Sequence, residues 1–191
     1  MERGIYDKEA HKKAADEAIR LMSMRAPMIV GFPHEPGRYV EARCSEVVLE
    51  ALQPFCQLKW DRLADVTMGI GAGFSGMGEV CGAVSGAIIA FGLDLASRYR
   101  EQAVLRVLIS KATQKFMKRV TEEFGSVRCR DIIRHNLSGL LIPGDEGFNA
   151  FVKDQGATMK CGKILHFAIM YPLPFEEDDY RDDAIVWPTG S

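Results

Sequence analysis

Hydrophobic residues recur every three or four positions along most of this chain, the spacing that puts them on one face of a helix. Between Asp7 and Met24, Ala14, Ala15, Ala18, Ile19 and Met22 make such a face. A turn-rich stretch, APMIVGFPHEPGR, interrupts the pattern with prolines and glycines. A second helix is predicted from about Tyr39 to Leu52, with Val40, Cys44, Val47, Val48 and Ala51 on one side and Pro54 limiting its end. Asp61 to Met68 reads as a short helix, with a strand as the alternative. From Glu79 the sequence EVCGAVSGAIIAFGLDLA carries almost no charge, so it should be a central helix buried on most sides. The longest helix is predicted from about Tyr99 to Phe124, through Leu105, Leu108, Ile109, Ala112, Phe116 and Val120, with Gly125 as its C-terminal cap. Shorter helices follow over about Cys129 to Leu137, Glu146 to Gln155 and Cys161 to Met170, where Pro172 and Pro174 stop the pattern. No convincing set of strands and no repeat emerges. The pattern therefore predicts an all-α protein: a compact multi-helix bundle around a buried, glycine-rich central helix. Residues 1–171 are expected to form one helical domain, and 172–191 an irregular acidic tail.

Composition changes this picture little. The 191 residues are 47% hydrophobic and 26% charged, with a net charge of −2, ordinary for a globular protein and without a global pull toward nucleic acid. The basic series Lys111, Lys115 and Lys118 has helical spacing and reads as a solvated face. The longest apolar stretch, Val80 to Leu93, is shorter than the roughly 20 residues that span a bilayer. The charged N-terminus lacks the apolar run of a secretory signal. The expectation is a cytoplasmic protein with no nucleic-acid or membrane partner. There, structural disulfides are rare, so five cysteines are either buried apolar side chains or chemistry.

Two features compete for that chemistry. GAGFSG, Gly71 to Gly76, fits the dinucleotide pattern G-x-G-x-x-G, and Asp94 stands where a ribose-binding acid would fall. That pattern needs a strand entering it and a parallel sheet around it, and the helical periodicity supplies neither. No NAD site is expected. The glycines instead allow a sharp turn before a buried helix and can bring bare N–H groups to an anion or cluster. Further along, Gly82 and Gly86 lie four apart on one helix face, where another backbone or a cofactor can come close.

The cysteines have a pattern of their own. Cys81, Cys129 and Cys161 are each predicted in the first turn of a helix, and Cys44 within about a turn of its helix start. A helix N-terminus favours negative charge, which would lower a thiol's pKa and improve it as a nucleophile or metal ligand. Arg43, Arg128, Arg130 and Lys160, adjacent in sequence, would add to this effect. Cys56, after Pro54 and Phe55, reads as packing. The chain has no C-x-x-C and no C-x-x-C-H, so spacing signals neither a zinc ribbon nor covalent haem. His34, His135 and His166 read as structural or solvated. Glu46 and Glu79 lie near cysteines and could carry protons, although a solvent-facing role suits them better. No Ser-His-Asp set or carboxylate pair stands out, and no catalytic residue is assigned.

The series CSEVVL from Cys44, then GFSGMGEVCGAVSGAI, then CRDII from Cys129, then CGKIL from Cys161 resembles the C-GCAxxG-C-C family of redox-active proteins over about Tyr39 to Met170. The resemblance implies a small helical protein whose Cys44, Cys81, Cys129 and Cys161 gather into one redox or metal centre, with an iron–sulfur cluster or zinc as the group held. Gly76, Gly78 and Gly82 would line that group. One departure is local: Val80 precedes and Gly82 follows the second cysteine, where the family label has Gly and Ala. The readings are an electron-transfer or redox-sensing centre, a metal-free thiol/disulfide protein, or a helical scaffold with core cysteines. The partner expected for the first two is an unknown redox protein, and a homo-oligomer is compatible with all three.

Overall fold

The computed structural model describes residues 7–28, 44–56, 60, 62–133 and 155–171, with backbone alone for 21–28 and 155–158. The architecture is all-α, as the periodicity predicts. The elements are α1 (Lys8–Met28), α2 (Cys44–Leu52), a four-residue turn α3 (Gly71–Phe74), α4 (Gly82–Arg98), α5 (Gln102–Phe124), α6 (Cys129–Ile133) and α7 (Gln155–Met170), with 3-10 turns at Gln53–Phe55 and Ala64–Thr67. The expected helix over Asp61 to Met68 is thus a single 3-10 turn. Residues 39–43, 134–137 of the expected helix from Cys129, 146–154 of the one ending at Gln155, and the acidic tail lie outside the described residues.

α4 is the central helix. Gly82, Ala83, Val84, Gly86, Ala87, Ala90, Phe91, Asp94 and Leu95 are all buried in it. α2 makes its most extensive packing against α4, α1 packs against α7, and α5 lies along α4. The closeness of α2 and α4 depends on Gly86: a methyl group there would stand 2.6 Å from the Ser45 carbonyl oxygen. Toward its C-terminal half α4 meets aromatic residues instead. Phe91 packs edge-on to Phe116 at 5.1 Å and tilts against Tyr171 at 5.8 Å. Phe116 in turn meets Tyr171 at 4.8 Å and Phe167 at 6.3 Å. α5 buries Ala112, Phe116 and Val120, three points of the predicted stripe. It ends at Gly125, whose φ of +78° lets its N–H reach the Thr121 carbonyl at 2.8 Å.

Among the described residues five polar side chains are buried, His11, Ser45, Glu46, Thr67 and Asp94, and two of them bear on the packing of the bundle. His11 of α1 is 1% exposed and stacks on Phe55 at 3.8 Å. Asp94 of α4 is 2% exposed and pairs with Arg98 one turn later. Asp94 therefore works inside the bundle, far from the ribose-binding role its spacing from GAGFSG evokes. Among the described residues no helix is long and apolar enough to cross a membrane.

Candidate thiol centre

The glycine run does something more specific than turn sharply. Ala72 (φ +54°), Gly73 (φ +67°), Phe74 (φ +62°) and Ser75 (φ +53°) form a left-handed turn. Left-handed backbone costs a non-glycine residue about 1–2 kcal/mol, and three of these four have side chains. Hydrogen bonds hold the turn: Phe74 N–H to the Ile70 carbonyl (3.0 Å), Ser75 N–H to Gly71 (2.8 Å), and the Ser75 hydroxyl to Gly69 (3.1 Å). Strain of this kind persists only where its surroundings impose it, and it gathers at functional sites.

The surroundings here are cysteines. A side chain on Gly73 would put its Cβ 2.8 Å from Cys129 Cβ and 2.7 Å from the Glu79 nitrogen. A side chain on Gly82 would run into Cys44 Sγ, and would also come within 3.2 Å of Gly71 Cα. Gly73 and Gly82 thus present bare backbone to Cys129 and Cys44, and with Gly71, whose Cα lies next to Gly82, they make a glycine wall. This explains the local departure from the family label, because the residue after Cys81 has to be glycine to admit Cys44. Gly78, with φ +71°, faces Arg130, whose Cβ would be 3.0 Å from an added methyl. Gly76 supplies a further positive φ of +90° to the same loop. Gly71 and Gly73 were not singled out as lining residues by sequence reasoning, although they sit inside the GAGFSG motif that drew attention.

Each cysteine is delivered by a different element. Cys44 opens α2, Cys81 caps the N-terminus of α4, and Cys129 opens α6. Cys161 differs from expectation. It lies in the second turn of α7, because that helix begins at Gln155 and runs through Gly156 and Gly162 without breaking. Cys81 and Cys129 are tied by an isolated antiparallel bridge between Val80 and Arg128. The Cys81 N–H donates to Val127 at 2.8 Å, and the Cys129 N–H donates to Glu79 at 2.7 Å.

The four thiols converge electrostatically. Negative charge on Cys44, Cys129 or Cys161 raises the pKa of Cys81; Cys44 and Cys129 act likewise on Cys161, and Cys44 on Cys129. Every pair among the four is therefore linked. Cys44 has the richest donor environment: backbone N–H groups of Cys44, Ser45, Ala72 and Ala83 reach its sulfur. It stands where the N-termini of α2 and α4 meet the left-handed turn.

The expected lowering of thiol pKa does not occur. Burial is the largest influence on all four and pushes each upward, Cys129 to about 12 and Cys81 well above the ordinary range. The N–H groups around Cys44 and the Arg130 guanidinium beside Cys129 pull the other way without prevailing. Desolvating a charge outweighs a nearby dipole when water is excluded. The other cations are engaged elsewhere: Arg128 with Glu79, and Lys160 with the Ile133 carbonyl. Arg43 lies outside the described residues.

Cys56 stands apart, as its context implies. It is 2% exposed, with its sulfur near the carbonyls of Leu52 (3.5 Å) and Ala90 (3.6 Å). No cysteine is in a disulfide. Among the described residues, no group of three or more His, Cys, Asp or Glu side chains is spaced to grip a metal ion. His166 bears on Asp16 of α1 rather than on the thiols; His34 and His135 lie outside the described residues. Glu46 is buried in the first turn of α2, against expectation. Glu79 reaches the surface but is clamped by two arginines.

A family model described as "Putative redox-active protein (C_GCAxxG_C_C)" matches residues 42–171, a span that begins just before Cys44 and ends just after Cys161. The chain belongs to this family. The C_GCAxxG_C_C match takes in all four cysteines and the glycine wall, so the family's name and the geometry concern one place in the fold. No curated protein and no solved structure matches the chain.

Proposed function

We propose that Cys44, Cys81, Cys129 and Cys161 hold one redox centre, an iron–sulfur cluster or another metal ion, that transfers electrons or senses redox state. The observation that carries this reading is the linkage of every pair among the four thiols. Two independent dithiols would need only two links, whereas one shared group needs all four thiols within reach of one another. The donor set fits: four thiolates suit an iron–sulfur cluster or zinc. The bare wall of Gly71, Gly73 and Gly82 leaves room for sulfur and close N–H groups where side chains would fill the space.

When bound, a cluster supplies one-electron chemistry at a potential tuned by its surroundings. The residues contribute the rest. The N–H groups of Ala72, Ser45 and Ala83 around the Cys44 sulfur favour its negative charge and so favour a higher potential. Loading requires the thiols to give up protons that burial makes them hold, so affinity should rise steeply with pH. Of the glycines proposed to line the group, Gly82 has direct support from its contact with Cys44, while Gly76 and Gly78 act through the loop that carries Cys81. The electron donor or acceptor would be a separate redox protein.

Anaerobic purification followed by metal and sulfide analysis tests the proposal. Iron with sulfide, or zinc, bound to the wild-type chain and lost in Cys81→Ser but kept in Cys56→Ser is the expected result. Absence of both metals from anaerobically prepared and reconstituted chain would sink it.

A second reading keeps the thiols without metal. It is favoured by the spacing of the side chains, which does not grip an ion among the described residues. Two of the four thiols would then join as a disulfide, releasing two protons and passing two electrons to an oxidised dithiol of a partner. Counting free thiols after mild oxidation separates the two readings: a loss of two per chain, reversed by dithiothreitol, supports this one.

A further inference from the structure

Glu79 ties several parts of the site's framework together. Its carboxylate takes both nitrogen–oxygen contacts of Arg128 at 2.9 Å and one from Arg130 at 2.7 Å. Those two arginines flank Cys129 directly in sequence. The Glu79 backbone makes two further ties: its N–H donates to the Gly73 carbonyl at 3.0 Å, and its carbonyl accepts from the Cys129 N–H at 2.7 Å. Arg130 also donates to the carbonyls of Gly78 (3.2 Å) and Met77. The left-handed turn, the loop into Cys81 and the segment carrying Cys129 therefore meet at one residue, two positions before Cys81.

We propose that Glu79, through Arg128 and Arg130, is a positioning residue that fixes Cys129 against Cys81 and the glycine wall. This rests on the reading of Cys81 and Cys129 as members of one centre. The two segments are joined over a short distance by one isolated bridge rather than a sheet. An isolated bridge has few hydrogen bonds to resist opening, so the ionic clamp supplies the missing restraint. The clamp side chains are 45–46% exposed, and exposed ion pairs weaken as salt screens them. The same clamp should therefore make the separation of the two thiols sensitive to ionic strength. It also gives Gly78 its reason to be glycine: a methyl group would displace the Arg130 side chain.

The test follows each cysteine by mass spectrometry while the metal-free full-length chain reacts with iodoacetamide under native conditions. Glu79→Gln should raise the rate at Cys129 roughly threefold to tenfold, the scale expected when two exposed pairs are lost, and leave Cys56 within about twofold. Raising salt should have the same effect on Cys129 in the wild type and little in Glu79→Gln. Glu79→Asp should restore part of the protection. Equal acceleration of all five cysteines would mean general loosening and overturn the proposal, as would an unchanged Cys129. If Glu79→Gln does not fold, the salt series on the wild type decides: a Cys129 rate independent of salt overturns it. None of these rates depends on whether metal binds, so the clamp can fail while the centre stands, and the reverse.

Discussion

The two ends of α4 lie in the same buried helix and are built on opposite principles. Its C-terminal half is filled: Ala90, Phe91 and Leu95 pack into a cluster with Phe116 and Tyr171. Its N-terminal end is emptied: Gly82 and Gly86 face Cys44 and Ser45 with no side chain between. Each end buries a cysteine. At the filled end Cys56 is enclosed by carbonyls and apolar contacts. At the emptied end Cys81 lies within electrostatic reach of three other thiols. Burial alone therefore does not distinguish the two cysteines. What distinguishes them is a surround from which side chains have been removed, at the expense of a left-handed turn in which three residues with side chains sit at positive φ.

The largest expected effect breaks the filled end. Phe91→Ala should lower stability by about 3–5 kcal/mol, the usual range for a fully buried aromatic, as read by urea unfolding. If the proposed centre holds metal, the folded fraction should keep the wild-type stoichiometry. If metal binding falls in proportion to packing at that end, the two halves are not separable.

Next comes the emptied end. Gly73→Ala places a methyl against Cys129 and the Glu79 backbone at a φ that disfavours it. It should destabilise by about 2–4 kcal/mol through overpacking and backbone strain, and it should also change the reactivity of Cys129. Gly82→Ala should cost about 1–3 kcal/mol and lower metal or disulfide yield by displacing Cys44. Full tolerance of a methyl at both glycines would remove the contrast between the ends.

Titration sharpens the comparison further. Burial, assisted by the negative charge of Asp94, pushes the Cys56 thiol up from 9.0 to about 12. A raised pKa stabilises the folded state fully below the ordinary thiol value, and this stability is lost as pH rises from there toward 12. Wild-type unfolding free energy should therefore fall more steeply between pH 9 and pH 11 than that of Cys56→Ala, with equal metal binding in both at neutral pH. The smallest effect is at α1. Burial lowers the pKa of His11 below 6.5, against the opposing influence of the Asp7 carbonyl hydrogen bond and charge. A lowered histidine pKa gives stability that is present above 6.5 and lost as pH falls below it. The wild type should lose stability between pH 6.5 and pH 5 by more than His11→Phe, with the thiol centre unaffected.

The bundle was legible in the chain because helical periodicity is local. The stripe through Ala112, Phe116 and Val120 and the cap at Gly125 are read from residues within a few turns of one another. The placing of Cys161 beyond the first turn of the last helix was not, because Gln155 to Lys160 lack a capping signal that would show the helix already running before it. The titration of the thiols was also out of reach. Helix termini can be guessed from sequence, but how far water is excluded from a sulfur depends on everything packed over it.

By itself, the sequence determined the helical class, the buried central helix and the four cysteines that the family pattern singles out. The tertiary structure alone decided that those cysteines, from four separate elements, come within electrostatic reach of one another. It also decided that Gly71, Gly73 and Gly82 clear that space, and that Glu79 braces it. The division has a physical cause. Hydrophobic period and capping act over a few residues, whereas close approach and desolvation depend on segments as far apart in the chain as Cys44 and Cys161.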